Sequence, residues 1–120
     1  MRDTGAVVDQ QNAGREWLSL RELAERIGID GKRVRQLLRE GRLITVRRGN
    51  EDVVPAAFVS DGDLLKGLGG LVTVLHDAGF DEEESIAWML AQEDSLGTSP
   101  VRAMVEGRSR EVKRVAQALA

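Results

Sequence analysis

Apolar positions along the chain change period several times, and each change marks a candidate element. Leu20, Leu23, Ala24 and Ile27 recur at helical spacing. Ser19 stands before them with Glu22 three residues on, the reciprocal pairing of a capping box, and Gly28 follows the last apolar position where a left-handed residue ends many helices. The pattern predicts a short helix from about Leu20 to Ile27. Asp30 is the natural cap of a second, from about Gly31 to Glu40, with Val34, Leu37 and Leu38 as its apolar stripe and Gly41 as its stop.

Beyond Gly41 the period shortens. Leu43-Ile44-Thr45-Val46 and Val53-Val54 read as two strands, joined by a hairpin with Gly49-Asn50 at its tight turn and closed by Pro55, which has no amide to give a ladder. Phe58 and Val59 are expected to fill the core between the two halves of the chain. The remainder reads as helices: roughly Asp61 to Asp77 with a break at Gly67 or Gly69-Gly70, then Asp81 to Gln92, Pro100 to Glu106 and Ser109 to Leu119. Residues 1–16 hold no sustained periodicity and are read as a disordered tail. The fold class expected is mainly α with a small β-hairpin wing: a winged helix-turn-helix over 17–60, followed by a helical regulatory or interaction domain over 61–120.

Composition narrows the chemistry. With 120 residues, 42% hydrophobic and 31% charged, the chain can bury one ordinary core or two small coupled ones. It has no cysteine and one histidine, His76, so no thiolate or histidine-rich metal site can form, and neither a metal nor a cofactor is expected. The longest apolar stretch, near Gly67 to Leu75, is too short and too glycine-rich to span a bilayer, and no signal peptide is evident, so a cytoplasmic, nucleoid-associated location is expected.

The net charge of −3 conceals a strong asymmetry. From Lys32 to Arg48 there are seven cations, namely Lys32, Arg33, Arg35, Arg39, Arg42, Arg47 and Arg48, against Glu40 alone, so this stretch carries +6 and the rest −9. The second helix thus turns an apolar stripe inward and long basic arms outward, as a recognition helix does. Cations against phosphates release condensed counterions, while Arg can pair with guanine and Gln with adenine. Lys32, Arg33, Arg35, Gln36, Arg39 and Arg42, with Arg47 and Arg48 at the wing, are the candidate contacts to double-stranded DNA; the wing pair could follow the backbone or enter the minor groove. A basic face can also be merely solvated. A capped short helix, a glycine turn, a one-sided basic helix and a basic-tipped hairpin in succession weigh against that reading.

Other candidates have plainer explanations. His76 lies near a helix end and suits a capping or core role. Glu82, Glu83 and Glu84 sit where a helix dipole favours acids and point around the helix instead of converging. Trp17 and Trp88 are expected as core anchors, since the chain has only four aromatics. Gly67-Leu68-Gly69-Gly70 does not match a phosphate-binding loop, and no nucleophile or metal cluster supports an enzyme.

The series Leu20–Gly28, Leu37-Leu38-Arg39-Glu40-Gly41-Arg42-Leu43, Val46-Arg47-Arg48, Val54-Pro55 and Leu71-Val72-Thr73-Val74-Leu75-His76-Asp77 resembles the actinobacterial winged helix-turn-helix proteins typified by the mycobacterial substrate of serine/threonine protein kinase L. The likeness continues through Ile86-Ala87-Trp88-Met89-Leu90, Ser99-Pro100-Val101 and Arg110-Glu111-Val112 to Ala116-Gln117-Ala118. It implies DNA binding through the winged domain, a helical C-terminal domain, no enzymatic activity, and phosphorylation of a threonine in the N-terminal tail by a serine/threonine protein kinase. Thr4 is the one threonine there. A transcriptional regulator is the leading expectation, with a homodimer through the C-terminal helices as a way to extend the site. The segment with Trp88, Ser99-Pro100-Val101 and the last helix also faintly resembles the toxin-binding domains of Xre/ParS-type antitoxins, so the competing expectation is a protein-interaction adaptor.

Overall fold

Ser19 does what its spacing to Glu22 requires. In the computed structural model, which describes residues 16–120, the Glu22 amide donates to Ser19 Oγ at 3.0 Å and the Ser19 amide donates to Glu22 Oε1 at 2.8 Å. This box opens helix α1 (Leu20–Ile27), and Gly28, at φ 72°, closes it. Asp30 accepts the Arg33 amide at 2.9 Å and starts helix α2 (Gly31–Arg39). Leu23, Val34 and Leu37 turn inward from this pair and are buried.

Three short strands flank the helix pair. β1 (Trp17–Ser19), β2 (Val46–Arg48) and β3 (Glu51–Pro55) form an antiparallel sheet in the order β1-β3-β2. Trp17 faces Pro55 across one ladder, and Arg48 faces Glu51 across the other, so Gly49-Asn50 is a two-residue turn. Only the first turn residue, Gly49, takes a positive φ (65°), the pattern of a type II′ hairpin.

Two expectations are corrected here. The first wing strand runs over Val46–Arg48 and not over Leu43–Val46: Leu43 and Ile44 are buried on the way to the sheet without joining its ladder. Helix does not resume at Asp61. After a 3₁₀ turn (Ala56–Phe58), β4 (Val59–Ser60) pairs with β5 (Asp63–Leu64) through Asp61-Gly62, both at positive φ (53° and 76°). That conformation interrupts any helix and suits a hairpin of its own.

The second half begins with α3 (Leu68–Asp77), entered from Gly67 at φ 88°, and continues through α4 (Glu82–Leu90), α5 (Pro100–Val105) and α6 (Ser109–Gln117). Asp81 and Glu84 form a second capping box at the head of α4. α3 packs along α6, α4 touches β2, and α5 meets the 3₁₀ turn, whose Phe58 is fully buried. Buried residues form one contiguous cluster that runs from Leu18 through Phe58 to Ala116. Trp17 and Trp88 are half-buried at its margin, not within it, and His76 is exposed, which rules out the core role for its ring. Among the described residues, no helix is long and apolar enough to cross a membrane.

Candidate nucleic-acid interface

α2 sorts its residues by helical phase. At 3.6 residues per turn, Arg35, Arg39, Lys32 and Gln36 fall within an arc of roughly 100°, and all four are exposed. Val34 and Leu37 are buried on the opposite side. Arg33 lies at the flank, half-buried, where it lines a cleft with Arg42 and Lys66. Gln36 Nε2 donates to Glu40 Oε2 at 2.9 Å, so the one acid on this stretch is tied to the last turn of the same helix. Arg42 Nη1 stands 3.8 Å from Glu40 Oε1, a loose exposed pair.

The wing divides its two arginines. Arg47 donates to Asp52 Oδ1 across the hairpin at 3.0 Å, both side chains remaining exposed. Arg48 turns toward the helical half, where Nη1 and Nη2 donate to the two Glu83 oxygens at 2.9 and 3.3 Å. Its guanidinium also lies 4.8 Å above the Trp17 ring. The hydrogen bond to Glu83 is the main cause holding the Arg48 pKa above its ordinary value.

The structure therefore brings Lys32, Arg35, Gln36 and Arg39 onto one exposed face, sets Arg33 and Arg42 around its edge, leaves Arg47 on the wing with an acidic cross-strand partner, and commits Arg48 to α4. Thr4 lies outside the described residues. Sequence reading missed Glu83 and Trp17 as the residues that place Arg48. Glu83 was accounted for by the α4 dipole, and a partner 35 positions away in the chain leaves no local signal.

Comparison with known proteins bears on both halves. Residues 6–59 match the family model described as DNA-binding protein Rv2175c, wHTH domain, and residues 65–120 match that of the Rv2175c C-terminal domain of unknown function. DNA-binding protein Rv2175c of Mycobacterium tuberculosis (strain ATCC 25618 / H37Rv) is 37% identical over 114 residues, which span 84% of this chain and 78% of that protein. The NMR structure of Rv2175c superposes with a TM-score of 0.79 at 35% identity, covering 90% of this chain and 83% of that one. With its winged helix-turn-helix followed by a helical domain, as the resemblance to an actinobacterial family implied, the chain belongs to the Rv2175c family.

Proposed function

We propose that this protein binds double-stranded DNA by setting the exposed face of α2 into the major groove, and that it acts as a transcriptional regulator. The observation that carries the reading is the arc of Lys32, Arg35, Gln36 and Arg39 on a helix whose other side is anchored in the core. A helix held rigidly from behind presents these side chains without having to order itself on binding, which keeps the entropic cost low. Arg35, Gln36 and Arg39 have the donors to read base edges, Lys32 on the same face is a point charge suited to a phosphate, and Arg33 and Arg42 stand at the edge, toward the backbone. Arg47 adds a cation at the wing. Membership of a family whose model is described as a DNA-binding protein supports the DNA-binding part of this reading.

Fluorescence anisotropy with a random-sequence duplex at several salt concentrations tests it. The wild-type protein binds with an affinity that falls by about 0.9 log units per decade of salt for each phosphate neutralised. Arg35→Ala/Arg39→Ala loses most of that affinity while keeping its far-UV circular dichroism. Absence of binding at 50 mM salt, both to random duplex and to duplexes selected from a random pool, would refute the reading and favour a protein-interaction adaptor. A regulatory role further requires that selection enrich a defined sequence.

A further inference from the structure

The cleft beside Arg33 is not confined to the winged half. It measures about 340 Å³ and is walled on one side by Arg33 and Arg42 and on the other by Lys66 and the first turn of α3. Two close approaches draw a second half-chain cation into the same neighbourhood. A side chain at Gly69 would begin only 3.4 Å from Arg42, and one at Gly70 only 3.5 Å from Lys113 Nζ on α6. Arg42 and Lys113 therefore both lie within ordinary contact distance of the first turn of α3. Lys66 is held in register with α6, because Ser109 Oγ donates to the Lys66 carbonyl at 2.8 Å. Three cations, Arg33, Arg42 and Lys66, thus line the cleft at the head of α3, a fourth, Lys113, lies beside Gly70 in the same turn, and the N-cap residue, Gly67, has no side chain with which to cap the helix. The single acid lining the cleft, Asp63, accepts the neighbouring Leu64 amide at 2.8 Å.

We infer that the helical half is part of the nucleic-acid interface: Lys66 and Lys113, continuing the basic flank of α2 through Arg33 and Arg42, grip a backbone phosphate of the duplex that α2 reads. The inference rests on the duplex-binding reading and assigns a task to the C-terminal domain. Its physical basis is additive. A like-charged cluster repels itself unless an anion occupies it, both lysines are exposed and lose little hydration on meeting a phosphate, and the positive end of the α3 dipole has the same sign. Lys66 and Lys113 position the protein on the duplex and carry no base specificity.

The test compares Lys66→Gln/Lys113→Gln with wild type and with a charge-matched control, Arg102→Gln/Arg114→Gln, in full-length protein. Binding to a random duplex is measured by anisotropy from 50 to 300 mM salt, and amide shifts of Gly69 and Gly70 are followed as duplex is added. If the two lysines together neutralise one phosphate, the lysine variant loses about 0.9 from the slope of log K against log salt, whereas the control slope stays within a few tenths of wild type. The glycine amides shift on adding duplex in the wild type and less in the variant. Equal slopes for the two variants, or glycine amides indifferent to duplex that binds, overturn the inference and leave the α2 reading standing. Failure of the wild type to bind any duplex overturns that reading instead. Both lysines are exposed, and thermal unfolding of the variant matching wild type shows that the fold is kept.

Discussion

Arg48 is the one wing cation that joins the two halves, so its interactions are best resolved by a double-mutant cycle over Arg48→Gln, Glu83→Gln and the pair. The two side chains remain 45% and 59% exposed, which places the ion pair among solvent-screened contacts worth about 0.2–1 kcal/mol. Stacking over Trp17 at 4.8 Å adds about 0.5–1 kcal/mol at an exposed site. Arg48→Gln therefore costs about 0.7–2 kcal/mol. Glu83→Gln also removes an acid from the first turn of α4, an effect of about 0.3–1 kcal/mol that has nothing to do with Arg48. Only the cycle separates that contribution from the pair. Urea unfolding followed by tryptophan fluorescence gives the four stabilities, with equal denaturant slopes as the check on two-state behaviour. The coupling energy comes out between about 0.2 and 1 kcal/mol at low salt and shrinks toward zero at 1 M salt, where the screening length is about 3 Å. No coupling at low salt, or more than about 2 kcal/mol persisting at 1 M, would refute the picture of a screened clasp.

Other substitutions probe other links. Glu83→Gln frees the Arg48 guanidinium and raises the salt slope of duplex binding toward one further contact, about 0.9, in the anisotropy assay. Ser19→Ala removes one arm of the α1 capping box and lowers stability by about 1 kcal/mol in urea. Phe58→Ala, at a fully buried site, costs about 3–5 kcal/mol and leaves a marginal fold by calorimetry. Arg108, hydrogen-bonded to Glu111 at 2.9 Å, holds that carboxyl below its ordinary value of 4.5. Its contribution is therefore present above about pH 4.5 and is lost as the pH falls through the lower folded value, so the wild-type urea midpoint drops in that window by more than that of Glu111→Gln.

Helices were legible in the sequence because their signals are local. Ser19 with Glu22, and Asp30, lie within one turn of the amides they cap, and each capped the helix expected of it. Strands were legible only in part. Leu43 and Ile44 have strand-like side chains but are buried as a crossing segment, and three-residue β1 is too short for alternation to show. Asp61-Gly62 is a hairpin signal that the apolar residues after it obscured. At the candidate interface, the basic face of α2 could be read from helical phase alone. The partners of Arg47 and Arg48, and the approach of Lys113 to Gly70, depend on which elements meet in space, and nothing in the neighbouring residues encodes that.

The contiguous core from Leu18 to Ala116 has a consequence for how occupancy at one end is felt at the other. A domain that unfolds as one unit shares its ligand's stabilisation among all its buried amides, by RT ln(1 + [L]/Kd) for a ligand at concentration [L]. A ligand held on α2 at 100 times its Kd would therefore slow exchange at Val112 and Ala116, which it never touches, by up to about a hundredfold wherever exchange requires global opening. Mutations far from the basic face would in turn weaken apparent binding once they leave an appreciable fraction of the chain unfolded.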